Sequence, residues 1–319
     1  MRAAVVRSFD APRCYGEFET PTPSGAHEVL VNVLAAGLHP RVRSSADGSH
    51  YTSDGTLPLI PGIDAVGCTA EGELLYFVAP DTALGAMAEQ AVADRRRAIT
   101  LPPGTDPLAV AAAMNPGISS WVALRRRIGF QAGDSILVLG ATGNAGQLAV
   151  QIARRLGASR VVGAGRNAQR LDLLRDFGAD ETVSLDGDEK DVAERLGRAA
   201  ADVDVVIDYL WGHPTERAIP AVLTARTDRS KPLTWIHIGS VAGQEITLPS
   251  YLLRAGALTV MGSGQGSVTT AGILAELPSL AAEITAGDLA VAPVAMPLSQ
   301  VEQSWNTSTG PGQRIVLTP

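Results

Sequence analysis

A glycine-rich turn carries the strongest chemical signal in the sequence. It joins an apolar stretch at 135–139 to a helical pattern, and its residues are Gly140, Ala141, Thr142, Gly143, Asn144, Ala145 and Gly146. Small residues at a strand-to-helix turn allow a pyrophosphate to approach the backbone, and the helix N-terminus offers it N–H donors and a positive dipole end. We expect Ala141 to form the tight turn, Gly143 to admit the phosphates and Gly146 to permit close helix–strand packing. The turn predicts a dinucleotide site, the alternative being a tight turn without a ligand.

The end of the next strand indicates which dinucleotide binds. Sites for NAD usually place Asp or Glu about 20 residues further on, to hold the ribose hydroxyls, but no acidic residue occurs from Gly140 through Leu171. The strand ends instead at Gly165-Arg166-Asn167, and Arg170 follows one helical turn later. A guanidinium there can pair with a 2′-phosphate and stack on adenine, although both arginines could also belong to a solvated face. We therefore predict NADPH rather than NADH.

These residues need parallel strands to position them, and the middle of the chain has that pattern. From about residue 117, apolar stretches without two-residue alternation are each followed by a helical pattern. Strands are predicted at 135–139, 160–164, 182–185, 203–207 and 233–238. This pattern is typical of a parallel sheet covered by helices on both faces. Residues 116–262 are predicted to form a doubly wound, Rossmann-type cofactor domain.

The flanking regions have a different pattern. Residues 1–115 carry short β-type runs between turn-rich stretches, with no obvious amphipathic helix before about residue 106. Residues 263–319 show a helical pattern near 270–286, a strand near 291–296, a short helix at 298–305 and a final strand at 314–317. We predict a mostly β domain over 1–115 that 263–319 completes. The fold class is α/β with two domains.

Composition and charge exclude several classes of function. Hydrophobic residues make up 45% of the 319 residues and charged ones 18%, which excludes a disordered chain, and no apolar run of membrane-spanning length is evident. A formal net charge of −7 argues against general nucleic-acid binding. The N-terminus has no secretory pattern, and 2 cysteines cannot form a disulfide framework. We expect a cytoplasmic protein without nucleic-acid or membrane partners.

Four stretches, taken in chain order, resemble the medium-chain dehydrogenase/reductase superfamily, and specifically its zinc-less quinone oxidoreductase branch. They are Ala35–Pro40 (AAGLHP), Pro61–Gly67 (PGIDAVG), Gly133–Gly140 (GDSILVLG) and Leu156–Ala158 (LGA). The resemblance covers essentially the whole chain. It implies a GroES-like catalytic domain built from both termini, a cofactor domain between them, an active-site cleft where they meet, and a homodimer.

The same stretches argue against a metal. Zinc-dependent members carry a Cys shortly after the first stretch and a His–Glu pair in the second, where this chain has Leu38-His39 and Ile63-Asp64. The four closely spaced cysteines of a structural zinc loop are absent, and the five histidines show no ligand spacing. We predict metal-free chemistry.

The candidate catalytic residues are His39, His50 and Tyr51. Quinone reductases of this family usually have Asn-Pro where this chain has His39-Pro40, and a Tyr four residues after that Pro, where it has Ser44. Related enoyl-thioester reductases use a Tyr just after a Gly in the following loop, where this chain offers His50 with Tyr51 beside it. Each of the three could donate a proton or polarise a carbonyl, and each could instead be structural.

Further cofactor contacts are expected after the later strands, because ligands bind at the carboxyl ends of such sheets. The residues assigned to these contacts are Tyr209, Trp211, Gly239, Ser240, Val241, Gly262, Ser263 and Gly264. Tyr209 and Trp211 could equally be core aromatics.

Together these features predict an NADPH-dependent reductase that transfers hydride to a small quinone, enone or enal. One alternative is an enoyl-thioester reductase, although no basic groove for a nucleotide-bearing thioester stands out; Arg41 and Arg43 could still bind an anionic substrate. Another alternative is an NADPH-binding sensor or structural protein with little turnover. The apolar stretch 257–261 is predicted as an exposed edge strand through which two copies pair.

Overall fold

The computed structural model describes residues 1–50, 53–80, 82–310 and 312–319. The chain divides into two compact units. The first unit combines Met1–Asn115 with Leu277–Pro319, and the second is Pro116–Glu276. One unit is mostly β and the other is a doubly wound parallel sheet, so the predicted fold class is confirmed.

The N-terminal part of the first unit consists of short strands and one short helix. Its strands are β1 (Arg2–Val5), β2 (Cys14–Glu17), β3 (Glu28–Gly37), β4 (Asp64–Thr69), β5 (Leu74–Val78), β6 (Gln90–Asp94) and β7 (Ala98–Thr100). Strands β1 and β2 pair with each other, and β3 to β7 belong to a larger sheet. Helix α1 (Pro40–Ala46), which the sequence pattern did not predict, begins with a proline at its first turn, where the missing N–H costs nothing.

A long helix, α2 (Pro107–Val122), runs from the first unit into the second and continues as one π-helical turn at Ala123–Arg127. By length and apolar composition this helix could cross a membrane, a match that the sequence analysis did not identify. However, 67% of its most apolar stretch is buried inside the protein. Burial of this extent is that of a core helix, because its apolar side chains already pack against protein.

The second unit is a six-stranded, wholly parallel sheet with helices. Its strands are β8 (Ser135–Leu139), β9 (Arg160–Gly165), β10 (Glu181–Ser184), β11 (Val205–Asp208), β12 (Leu233–His237) and β13 (Leu258–Gly262). Its helices are α3 (Asn144–Arg155), α4 (Ala168–Asp176), α5 (Glu189–Ala200), α6 (Gly212–Ala225), α7 (Leu252–Ala255) and α8 (Thr270–Leu274). The strand order is β10-β9-β8-β11-β12-β13, so the direction of winding reverses between β8 and β11. Ligands bind at this switch point in doubly wound sheets.

The central strands of this sheet lack two-residue alternation because both of their faces are covered. All four residues of β11 are buried, and so are the last four of β8. Their apolar side chains pack in one core with those of α5, α6 and β12, including the fully buried Trp235. This core holds the carboxyl ends of the strands in a fixed row.

The C-terminal segment returns to the first unit and completes its sheet. It contains α9 (Leu277–Thr285), β14 (Ala292–Pro297), α10 (Val301–Asn306) and β15 (Gln313–Thr318). The sheet order is β14-β15-β3-β4-β5-β7, and β6 also pairs with β3. Strand β15 runs antiparallel to β3, which joins the two ends of the chain in one sheet.

The sequence analysis was wrong about residues 263–276. They belong to the second unit rather than the first, and the single helix expected near 270–286 is two helices, α8 and α9. Pro278 lies in the first turn of α9 and cannot donate the hydrogen bond that would continue a preceding helix. The buried Glu276 carboxylate accepts hydrogen bonds from the side chains of Trp121 (2.9 Å), Arg125 (2.7 Å) and Arg126, all in the second unit.

Candidate active site

The glycine-rich turn joins β8 to α3 at the carboxyl edge of the parallel sheet. Gly140 adopts the left-handed conformation (φ +85°), which favours a residue without Cβ. The tight turn therefore belongs to Gly140 and not to Ala141, the residue expected from the sequence. A Cβ on Gly146 would lie 2.2 Å from the Gly140 carbonyl oxygen, so only glycine permits this helix–strand approach. Helix α3 is capped by Gly143, whose lack of a side chain leaves room for phosphates at the helix N-terminus.

A second loop lies beside this turn at the end of β9. A Cβ on Gly165 would lie 2.4 Å from the Thr142 side chain, so the two loops are in contact. Arg170 donates a hydrogen bond to the Thr142 carbonyl at 3.0 Å, and Asn167 caps α4 by accepting one from the Arg170 N–H at 3.0 Å. Arg166 is exposed at the end of β9. The exposed Arg166 thus directly follows a residue that packs against the glycine-rich turn, and the Arg170 guanidinium is bonded to that turn.

The carboxylate of Asp208, at the end of β11, organises the neighbouring loop. It is fully buried and accepts hydrogen bonds from the backbone N–H groups of Leu210 (2.8 Å) and Trp211 (3.0 Å). It also accepts from Thr215 Oγ1 (2.6 Å) and Trp235 Nε1 (3.0 Å). Asp208 was not among the residues that the sequence analysis singled out; an acidic residue that closes an otherwise apolar strand was the available signal. Asp208 holds the loop and the start of α6 against the sheet edge.

Trp211 and His237 form a ring pair at this edge. Within the described residues Trp211 is the one non-glycine residue with a positive φ (53°), an uncommon conformation. Its ring lies 4.4 Å from that of His237, tilted by 51°. Burial lowers the pKa of His237, so its ring is neutral at pH 7. The sequence predicted a contact role for Trp211 but missed His237. The two rings come from different strand ends, so spacing along the chain does not reveal that they pair.

Tyr209 is a core aromatic. Its side chain is buried, its hydroxyl lies 3.0 Å from Ser119 Oγ, and burial raises the pKa of Tyr209 to about 12. The sequence analysis expected this side chain to contact the cofactor, but the side chain is buried and exposes no group for such a contact. Its carbonyl oxygen accepts a hydrogen bond from the Val241 N–H at 3.3 Å and so positions the loop after β12.

The loops after β12 and β13 contain the remaining predicted contact residues, namely Gly239, Ser240, Val241, Gly262, Ser263 and Gly264. A Cβ on Gly239 would lie 3.2 Å from the Tyr209 carbonyl oxygen, whereas one on Gly262 or Gly264 would meet nothing within 4 Å. Val241 is 78% exposed. Close packing therefore explains only Gly239, and an exposed apolar side chain beside it is available to a ligand.

His39 belongs to a buried polar network of the first unit. Its Nε2 atom lies 3.0 Å from Asp64 Oδ1, and the Tyr76 hydroxyl donates to Asp64 Oδ2 at 3.0 Å. His39 is 2% exposed, and burial lowers its pKa although the bond to Asp64 opposes that shift. Burial also raises the pKa of Tyr76. An imidazole held in this way fixes the start of α1 rather than presenting a proton at a surface.

The lowered pKa of His39 predicts acid-sensitive stability. Below its ordinary value of 6.5, the unfolded chain takes up a proton that the folded chain does not, so stability is present above pH 6.5 and is lost as the pH falls below it. We expect the melting temperature to fall more steeply between pH 7 and pH 5 in the wild type than in His39→Asn. Calorimetric melting at each pH measures the two slopes; equal slopes would contradict a neutral buried His39.

His50 follows α1 in a loop that packs on another loop of the same unit. Its backbone N–H donates to the Ser44 carbonyl at 3.0 Å, and its carbonyl accepts from the Ser53 N–H at 2.9 Å. Gly48 has φ +76°, and its Cβ position is 3.1 Å from the Phe9 ring. His50 is partly buried. Tyr51, the other candidate in this loop, lies outside the described residues.

No group of three or more His, Cys, Asp or Glu side chains that could hold a metal occurs within the described residues. Both positions that the sequence analysis compared with zinc ligands lie inside the first unit. His39 and Asp64 bond to each other there, and Leu38 is buried in the apolar core.

Comparisons with known proteins agree with this architecture. The family described as zinc-binding dehydrogenase matches residues 145–277. The probable NADPH-dependent quinone reductase tdiC of Emericella nidulans is 30% identical over an alignment of 362 residues that covers 100% of both chains. The NADPH-dependent alkenal/one oxidoreductase of Arabidopsis thaliana chloroplasts is 30% identical, over 67% of this chain and 63% of that relative. Among solved structures, the quinone oxidoreductase of Thermus thermophilus has a TM-score of 0.84 at 23% identity, covering 100% of both chains.

Proposed function

The chain belongs to the medium-chain dehydrogenase/reductase superfamily, in its quinone oxidoreductase-like branch, and we propose that it reduces a quinone, enone or enal with NADPH. The observation that carries the cofactor assignment is the pairing of the phosphate-binding turn with Arg166 and Arg170. The relatives named as NADPH-dependent reductases of quinones and of alkenals or enones support the substrate class.

The second unit contributes binding and orientation. The N-terminus of α3 and the Gly140–Gly146 turn receive the pyrophosphate, and Arg166 pairs with the 2′-phosphate. The Asp208 network fixes the loop that carries Trp211, and Gly239 to Val241 lie at the same sheet edge for the nicotinamide half. NADPH supplies a hydride when bound, so the residues of this unit act by positioning.

The first unit contributes the groups that stabilise and then neutralise the negative charge formed by hydride transfer. Negative charge develops on the carbonyl oxygen of the substrate, and a hydrogen-bond donor stabilises it before a proton is delivered. His50 and Tyr51 are the candidates for this role. His39 acts as a positioning residue through its bond to Asp64.

The reaction is also proposed to be independent of zinc. Leu38 and Ile63 occupy two of the positions where zinc-dependent members of the family have metal ligands, and neither side chain has a donor atom. A chelator is therefore expected to leave turnover unchanged, as measured after dialysis against EDTA.

Turnover is tested with a panel of quinones, enones and enals, followed at the nicotinamide absorbance. We expect oxidation of NADPH with at least one class and little oxidation of NADH. NADPH that binds but is not oxidised with any substrate of the panel would contradict the reductase and indicate a binding protein.

We further propose a homodimer that pairs through β13. This strand lies at the edge of the parallel sheet, and an unpaired edge is an association surface. Two apolar side chains of the same unit are exposed: Tyr251, just before α7, is 58% exposed, and Leu253, in α7, is 49% exposed. Pairing of two copies about a two-fold axis would satisfy the edge.

Light scattering at micromolar concentration is expected to give a dimeric mass for the wild type and a monomeric mass for Thr259→Arg. Thr259 is an exposed residue of β13, and a charge at a strand edge prevents pairing. Thr224→Arg, at an exposed position of α6, is the matched control and should remain dimeric. A monomeric wild type would exclude the dimer.

A further inference from the structure

Two arginines lie over one tryptophan ring in the first unit. Arg13 lies between β1 and β2, Arg43 lies in α1, and Trp305 lies in α10. The guanidinium carbons of Arg13 and Arg43 are 5.3 Å and 5.6 Å from the centre of the Trp305 ring. Arg43 also donates a hydrogen bond from Nη1 to the Trp305 carbonyl oxygen. Three separate segments of the chain thus converge on one cationic cluster, Arg13–Arg43–Trp305.

This cluster has an uncompensated positive charge. Within the part of the chain that the structure describes, neither Arg13 nor Arg43 forms an ion pair with a carboxylate, and the buried Arg13 Nε has no hydrogen-bond acceptor. Burial lowers the pKa of Arg43, and the neighbouring Arg13 lowers it further. Two like charges held together without a counter-charge raise the free energy of the folded chain.

A third arginine adds to the excess. Burial lowers the pKa of Arg314 to about 10, Asp64 opposes that shift, and Arg43 adds to it. The Asp64 carboxylate is already engaged by His39 and Tyr76. A protein with a formal net charge of −7 therefore concentrates cations at one place in its first unit.

We propose that the Arg13–Arg43–Trp305 cluster binds an anionic group of the substrate, a carboxylate or a phosphate. Guanidinium groups match the geometry of both oxyanions and pair with them through charge-assisted hydrogen bonds. The inference rests on the proposed reductase function and narrows its substrates to enones, enals or enoyl thioesters that carry an oxyanion. The sequence analysis named Arg43 as a possible ligand of an anionic substrate, but it did not reveal Arg13 and Trp305, because both are distant from Arg43 along the chain.

The cluster is linked along the chain to the loop of His50. Arg43 lies on α1, which begins directly after His39 and leads into the His50 loop. Phe9, in the same connection as Arg13, packs on Gly48 of that loop with its ring 3.1 Å from the Cβ position. An oxyanion bound here would be held on the same local framework as His50.

The test compares three substrates that share a conjugated carbonyl: crotonaldehyde, which is neutral; fumaric semialdehyde, which carries a carboxylate; and crotonyl-coenzyme A, which carries phosphates. Arg13→Gln and Arg43→Gln are each expected to lower kcat/KM for an anionic substrate by about 10- to 100-fold, mainly through KM. For crotonaldehyde, kcat/KM should be the same in the variants and in the wild type. Arg7→Gln removes an exposed arginine from the same connection between β1 and β2. It should change kcat/KM neither for the anionic substrates nor for crotonaldehyde.

The identity of the preferred anion separates the two sources of the oxyanion. If the wild type prefers fumaric semialdehyde and Arg13→Gln abolishes that preference, the cluster binds a carboxylate. If the same holds for crotonyl-coenzyme A, the cluster binds a phosphate. Because Arg43 also bonds to the Trp305 backbone, Arg13→Gln is the variant that keeps the test independent of folding, and thermal melting checks both. If variants and wild type reduce all three substrates with unchanged relative efficiency, the cluster only holds Trp305 in place and the proposal is overturned.

A binding measurement distinguishes failure of this site from failure of the reductase function. Calorimetric titration with coenzyme A and with fumarate is performed on wild type, Arg13→Gln and Arg7→Gln in the absence of NADPH. Binding of either probe that Arg13→Gln weakens and Arg7→Gln preserves supports the anion site even if no substrate is reduced. Reduction of neutral substrates without any binding of either probe leaves the reductase function intact and rejects the anion site.

Discussion

Alanine in place of His50, or phenylalanine in place of Tyr51, is expected to lower turnover by about 10²–10⁴-fold, the range for loss of a general acid. Hydride addition to a conjugated carbonyl leaves negative charge on oxygen, and the group that donates to this oxygen acts only in the transition state. Loss of that group should therefore lower kcat while the NADPH dissociation constant stays unchanged. Steady-state kinetics with an accepted substrate and a fluorescence titration with NADPH measure the two quantities.

Two control variants separate the chemistry from the general effect of losing a ring. His27 is an exposed histidine of the first unit, and Tyr15 is a partly exposed tyrosine of β2. His27→Ala and Tyr15→Phe should retain full turnover. If His50→Ala and Tyr51→Phe both retain nearly full activity, the assignment is wrong and solvent supplies the proton.

The pH dependence of the same variants distinguishes a general acid from a positioning residue. A general acid must be protonated, so kcat falls as the pH rises through its pKa, and removal of the acid abolishes that limb of the profile. His39 is buried and paired with Asp64. His39→Ala should therefore change stability and KM while leaving the shape of the kcat profile intact.

Alanine in place of Arg166 is expected to abolish most of the preference for NADPH over NADH. Charge-assisted hydrogen bonds contribute about 1–3 kcal/mol, which corresponds to a ratio of about 5- to 150-fold in affinity. The affinity for NADH should change much less, because NADH has no 2′-phosphate and offers the guanidinium only its adenine. Titration of both cofactors into wild type and Arg166→Ala gives the ratio directly.

Arg175→Ala is the matched control for this prediction. Arg175 is an exposed arginine in the last turn of α4, whereas Arg166 precedes the first turn of the same helix. Both substitutions remove one positive charge from the same region, so only a specific contact makes Arg166 different. Equal affinities for NADPH and NADH in the wild type would reject the assignment, and salt should reduce the wild-type preference because the contact is ionic.

The sequence could predict the strand, turn and helix framework of the second unit because its signals are local. An apolar strand, a glycine turn and a helix are consecutive in the chain, and the position of Arg166 follows from counting along the next strand. The left-handed turn residue was misassigned between adjacent positions, Ala141 for Gly140, because spacing does not report φ. Asp208 and His237 were missed as site residues for another reason: their partners come from separate strands and loops.

The catalytic half was less predictable from sequence. His39 has the chemistry of an acid, and only the structure shows that it is buried and bonded to Asp64. The assignment of residues 263–276 failed because a carboxylate, Glu276, binds three side chains that lie about 150 positions earlier. Ion pairs of this separation leave no pattern in the chain.

By itself, then, the sequence determined the fold class, the family, the glycine-rich strand-to-helix turn and the assignment of NADPH as cofactor. Each of these depends on residue types at fixed short spacing, which the periodicity of strands and helices converts directly into position. The tertiary structure decided which ionisable groups are buried, which carboxylates are already engaged and which arginines converge on Trp305. Those properties depend on contacts between distant segments, and burial and charge compensation exist only once these segments have packed together.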